Sequence, residues 1–275
     1  MPLISEYILV PRSASVKKKI DNEFYPSTPS ATLLLLLHGA FYVRKQSDTK
    51  LIKHDHDFAS LPINRISSKK LNTHLKQFSW EPASKFFPHY SYYEQLLPEF
   101  SACIYSRNTC QWIESFLHTY RALEKMSFAL PLIYAKNTKN FIKTYNSFKQ
   151  IFLSKEIDAE LSFFKTALTT ILDSVEVSYK FSFTIDHDEY KAISYIFSKK
   201  LKITPPTTTY PVVFEFDFFQ TISFLIRIRN GLFHSLSGKD NISLVKLKSP
   251  PRLLSKLIDN YINCISYLTA KIIDA

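Results

Sequence analysis

The tightest gathering of groups able to handle protons and phosphate in this chain is Arg229-Asn230-Gly231-Leu232-Phe233-His234. A permanent cation, an amide and a titratable imidazole fall within six residues. An imidazole with its ordinary pKa near neutrality takes up and releases a proton at physiological pH. A guanidinium presents a forked, always-charged head that matches phosphate oxygens. The chain has three glycines, Gly39, Gly231 and Gly238, and two of them fall in or just after this hexad. Glycine serves where backbone must bend or come close to something. Its concentration here marks a constrained position.

The element that must position these groups reads as one strongly apolar helix, opened by Pro211, running from about Val212 to His234 and ended by Ser237-Gly238-Lys239-Asp240. On it Gln220, Ser223, Arg227, Asn230 and His234 follow 3-4-3-4 spacing and collect on one stripe at about 100° per residue. A polar stripe on a helix that is apolar elsewhere must find partners, so it either specifies packing or lines a site. Arg229 lies about 100° from Asn230 and about 140° from His234 on a regular helix. The two charged tips would not converge. Either the helix loosens at Gly231, or the site is composite, the arginine of one protomer meeting the histidine of a symmetry mate across a twofold axis. The second solution predicts a homodimer. Arg227 and Lys239 flank the hexad and are the next candidates for RNA-backbone contacts, with plain solvation of surface charge as the alternative. For His234 the alternative is a helix C-terminal histidine interacting with the dipole.

The remaining sequence predicts a mainly α chain, a helical bundle with extra N-terminal helices and an irregular lead-in containing short β segments. Residues 1–130 form an N-terminal helical region and 131–275 the bundle that carries the hexad, unless the whole is one domain. Helices are expected at Ala31–Lys45, near Asp57–Leu75, at Tyr90–Cys103 and at Thr109–Phe128, the last from Trp112, Phe116, Tyr120 and Leu123. Pro131 opens a further helix, and apolar spacing predicts a long helical pair over Ala135–Tyr179. Phe181–Ile185 suits a brief extended segment. Asp186 reads as an N-cap, with Glu189 at the capping-box position, for a helix through Lys202. Thr204–Pro211 is a loop, and Arg252–Ile273 a last amphipathic helix with Leu254, Leu257, Ile258, Tyr261, Ile265, Leu268 and Ile272 along one side.

Composition narrows the function. A formal charge of +11 together with 23 Phe and 16 Tyr fits an anionic, stackable partner such as nucleic acid. The bland alternative is a merely basic protein. No GxxxxGK[ST] or GxGxxG string occurs, which argues against a kinase, a P-loop ATPase and a Rossmann dehydrogenase. Cys103, Cys110 and Cys264 are odd in number and lack CxxC spacing, so neither a disulfide framework nor a zinc ribbon is indicated and a reducing, cytoplasmic setting is expected. No apolar stretch is long enough to span a bilayer, and none reads as a signal peptide. His54-Asp55-His56-Asp57 has metal-ligand residue types, but consecutive ligands rarely close a site and a solvated loop is the simpler reading. No metal or cofactor is expected.

Arg followed directly by Asn, then three residues and His, near the end of an apolar helix in a basic α-rich chain, resembles the HEPN superfamily (higher eukaryote and prokaryote nucleotide-binding). That family's pattern is Arg, four to six residues beginning with a polar one, then His; here four intervene and Asn230 is the polar one. Pro211–Ala275 carries the resemblance best. Lys53–Leu61 is similar to a His-Asp-apolar segment between helices of that family, at a longer interval than usual, which implies a large insertion or a degenerate N-terminal copy. The resemblance implies an up-and-down bundle, usually dimeric, acting as a metal-independent endoribonuclease in toxin-antitoxin, abortive-infection or antiviral defence. It implies catalytic roles for Arg229, Asn230 and His234, RNA as substrate, and a neutralising antitoxin of protein or RNA. The competing readings are a non-catalytic RNA- or nucleotide-binding module that assembles with a partner, and a structural helical protein.

Overall fold

Apolar runs among the described residues differ in period: most helices bury every third or fourth residue, strands every second, and Ser30–Leu37 buries every residue. The computed structural model describes residues 3–4, 6–12, 29–48, 58, 87–137, 140, 142, 144–146, 149, 167–169, 171–204, 209–233, 242, 247 and 249–274. Over these the chain is mainly α, with two small antiparallel sheets. It divides into two compact units, one of Met1–Ala122 with Ile265–Ile273, the other of Leu123–Cys264 with Asp274–Ala275.

In the first unit, strands β1 (Leu3–Ile4), β2 (Tyr7–Pro11) and β3 (Phe41–Lys45) form a sheet in that order, and helix α1 (Pro29–Leu37) packs on α2 (Phe87–Asn108). The β content expected of the lead-in is present. The single helix expected over Ala31–Lys45 is not: α1 stops at Leu37, Gly39 turns with φ 69°, and the chain re-enters as β3, pairing Val43 with Leu9. Phe41 and Val43 are buried while Tyr42 and Arg44, which alternate with them, are half-buried, a period of two that only a strand can satisfy. Gly39 supplies the left-handed residue that a side chain would penalise. The helix expected near Asp57–Leu75 lies outside the described residues except Phe58, which is buried and donates its N–H to the Leu37 carbonyl at 2.9 Å.

Helix α3 (Trp112–Asn137) runs through Pro131, which therefore lies within a helix instead of opening one. Leu123, Met126, Leu130 and Tyr134 are all buried at helical spacing, and this continuous apolar stripe outweighs the local cost of proline. The long pair expected over Ala135–Tyr179 lies mainly outside the described residues; α4 (Ser174–Ser178) is a short helix within that range.

The second unit is organised by a two-stranded sheet, β4 (Phe181–Ile185) with β5 (Val212–Phe216). Its inward residues, Phe181, Phe183, Ile185, Val212, Phe214 and Phe216, are all buried. Helix α5 (His187–Tyr195) follows β4 and passes into a π-helical turn at Ile196–Leu201, close to the expected end at Lys202. Helix α6 (Phe218–Phe233) belongs to this unit, and so does α7 (Pro250–Asp274) as far as Cys264, its residues Ile265–Ile273 being counted with the first unit. All seven residues expected along one side of α7 are buried. Three of these starts use one device, an Asp with Glu or Gln three residues on. The Asp186 N–H donates to Glu189 as expected, and reciprocal bonds join Asp173 with Glu176 and Asp217 with Gln220.

Candidate functional site

The expected helix from Val212 to His234 is in fact two elements. Val212, Phe214 and Phe216 are buried and Val213 and Glu215 exposed, which makes 212–216 a strand, and Asp217 starts α6. The Asp217 N–H donates to Gln220 Oε1 at 3.0 Å and the Gln220 N–H to Asp217 Oδ1 at 2.8 Å. Gln220, expected on the polar stripe, is thus spent on the cap.

Aromatic packing fixes the helix that follows. Phe224 lies edge-on to Phe183, with ring centroids 5.7 Å apart, and to Phe216 at 5.2 Å, and it also meets Phe197 and Tyr261. Such edge-to-face pairs add specific geometry to area burial. Burial raises the pKa of the Tyr261 phenol well above its ordinary value, so α6 is held against an apolar, uncharged wall.

At its far end α6 emerges partly from that core. In helical projection Phe219, Ile226, Arg229, Asn230 and Phe233 lie within about 100° of one another. These five are half-buried or exposed, whereas Phe218, Ile222, Phe224, Leu225 and Ile228 are buried. Arg229 and Asn230 meet on this face: Arg229 Nη1 donates to Asn230 Oδ1 at 3.1 Å. The guanidinium's other arm, Nη2, stands 4.0 Å from Glu124 Oε1 of α3, with Arg229 24% and Glu124 49% exposed. A pair at this distance and exposure is weak.

Gly231 is buried, and its carbonyl accepts from the Ile242 N–H at 3.1 Å. One of the last four carbonyls of α6 is thereby satisfied by returning chain. Gly231 permits this close approach without bending the helix, which continues to Phe233. The approach of His234 to Arg229, for which loosening at Gly231 is one of the two expected routes, falls outside the described residues.

The sequence-derived site residues fare differently. Arg229 and Asn230 are brought together. Arg227 is half-buried and sits about 200° from Arg229 around the helix, so it does not share that face. Ser223, also expected on the polar stripe, is buried with no partner for its hydroxyl among the described residues. The stripe is therefore divided between a cap, a buried hydroxyl and the Arg229 pair. His234 and Lys239 lie outside the described residues, as do His54-Asp55-His56-Asp57. Sequence reasoning missed Glu124, which comes from another helix and carries no local signal. It also missed a second acid–base pair in the first unit, where His118 Nδ1 of α3 and Glu99 Oε2 of α2 are 2.8 Å apart and tie those helices together.

Fold and site together define a mainly α chain with an arginine–amide pair on the half-exposed face of a helix whose other face is buried. No family model matches the chain, and neither does any curated protein or solved structure. The HEPN resemblance stands on the hexad and its helix alone.

Proposed function

We propose that this chain is a metal-independent endoribonuclease of the HEPN type, an effector of a bacterial defence or toxin-antitoxin system. The observation that carries the reading is the Arg229–Asn230 hydrogen bond on the half-exposed face of α6. It orients a fork for phosphate five residues ahead of an imidazole in sequence. RNA brings its own nucleophile. The 2′-OH loses its proton and attacks the adjacent phosphorus; the bond from phosphorus to the 5′-oxygen breaks, and that oxygen takes up a proton. The products are a 2′,3′-cyclic phosphate and a 5′-hydroxyl.

Arg229 holds the non-bridging oxygens and stabilises the charge that develops on them. Asn230 fixes the guanidinium, and His234 exchanges the proton. A second copy of the chain supplies the opposite half of a composite site, and an antitoxin of protein or RNA restrains the enzyme in the cell. Incubation with total RNA in EDTA, with end-group analysis, tests the reading. Cleavage leaving cyclic-phosphate ends is expected, together with loss of at least about a hundredfold in Arg229→Ala and His234→Ala. Undiminished cutting by His234→Ala would overturn the assignment.

A further inference from the structure

In the first unit a second acid–base pair stands apart from the hexad. Glu99 of α2 and His118 of α3 meet at 2.8 Å between Oε2 and Nδ1, with 15% and 25% of their side chains exposed. The pair is not needed to fix the register of the two helices. A buried seam beside it does that: Ser115 Oγ donates to the Cys103 carbonyl at 3.0 Å, and Thr119 Oγ1 lies 3.0 Å from Cys103 Sγ. A carboxylate on Nδ1 has a chemical consequence instead. It holds the ring proton on Nδ1 and leaves the lone pair of the neutral imidazole on Nε2. Among the described residues Nε2 has no hydrogen-bond partner, and it is not shut in. Arg121, one turn further along α3 and about 60° around it, is exposed and makes no ion pair among the described residues.

We propose that His118 is a phosphoryl-acceptor site, modified at Nε2 by a small activated donor, a phosphoramidate or an acyl phosphate. A neutral nitrogen nucleophile beside a permanent cation suits an electrophile that is itself anionic, and a phosphoryl group is one. The Nε2 lone pair attacks phosphorus, and the bond from phosphorus to the donor's leaving atom breaks. Its electron pair departs with the ammonia or the carboxylate. The Nδ1 proton stays in place, shared with Glu99, whose charge compensates the positive charge that the ring acquires. Arg121 meets the non-bridging oxygens of the group in transfer. Glu114, exposed one turn before His118 and seven residues from Arg121, repels the same oxygens and biases them toward the arginine. Glu99 is thus a positioning residue, and His118 is the group that reacts.

The test incubates the full chain with phosphoramidate or with acetyl phosphate and follows acid-labile phosphate by intact mass, with the modified residue mapped by peptide sequencing. With at least one of the two donors, wild type should label His118 at least about tenfold faster than any other histidine, and His118→Ala should lose that label. Glu99→Ala should slow labelling by at least about tenfold. Glu99→Gln, whose amide oxygen still accepts from Nδ1–H, should recover part of the rate, while thermal unfolding of each variant is read alongside. Arg121→Ala changes only an exposed side chain and should slow labelling by about tenfold. Labelling spread evenly over the histidines, or absent with both donors, overturns the proposal. So does a wild-type rate in Arg121→Ala, or a slowing in Glu99→Ala that Glu99→Gln does not relieve, which would leave the pair a helix tie alone. The nuclease reading is tested separately, since Arg229→Ala should label as wild type does.

Discussion

Two oxygens of unequal hold lie against the Arg229 guanidinium. Asn230 accepts from one arm at 3.1 Å, and Glu124 stands 4.0 Å from the other. The amide is neutral, so it orients the guanidinium without consuming its charge, and the carboxylate is partly solvated and easily displaced. For the proposed nuclease, Asn230→Ala should lower cleavage by about tenfold through loss of one hydrogen bond to a charged group. Asn230→Asp should bind Arg229 more firmly yet weaken RNA binding further, because it sets a negative charge beside the phosphate. Single-turnover rates and anisotropy titrations on the same RNA separate the two effects. The residue types at 229 and 230 were legible as phosphate chemistry from the sequence. Their mutual hydrogen bond was not, since a separation of about 100° on a helix hides how far a long guanidinium stem can reach sideways. Glu124 was illegible for a plainer reason, its distance along the chain.

Among the elements, errors of sequence reading fall where an apolar run has two periods in it. Val212–Phe216 merges with α6 when only hydrophobicity is followed, but Val213 and Glu215 face outward, and Asp217 with Gln220 three residues on marks the true start. Ala31–Lys45 fails in the same way, with Gly39 as the overlooked break. The Asp186–Glu189 start was readable because its signal is local. What the sequence could not disclose is that Asp186 also accepts from Arg252 and Lys256 of α7, while Lys256 reaches Glu189 at 2.9 Å. The Lys256 hydrogen bond, opposed by burial and aided by the charges of Lys256 and Arg252, lowers the Asp186 pKa below its ordinary 3.8. A carboxyl with a depressed folded pKa stabilises the fold above its unfolded value and loses that contribution as pH falls through the folded one. Asp186→Asn should therefore cost about 1 kcal/mol at neutral pH. Urea denaturation series of wild type and variant should converge as pH falls below the depressed folded pKa of Asp186, and parallel curves across that range would show that the charge is not the cause.

For the whole molecule the question is whether one chain makes a complete site. The α6 helix runs unbroken through Gly231 to Phe233, and the approach of His234 to Arg229 falls outside the described residues. The shared site across a twofold axis, which the proposed function takes up, makes a quantitative prediction that a single-chain site does not. For the proposed nuclease, Arg229→Ala and His234→Ala should each be inactive alone. If the arginine of one copy serves the histidine of the other, a dimer of the two variants has one site with both groups intact and one with neither. Random exchange at equal concentrations makes about half of the dimers mixed, and each has one of two sites working, so about a quarter of wild-type activity should return. Mixing after mild dissociation, followed by cleavage assays over a dilution series, measures this directly. Recovery should vanish at concentrations where sedimentation shows monomers. Absence of any recovery in a mixture that demonstrably exchanges subunits would place both groups within one chain and assign their convergence to the path that the chain takes after Phe233.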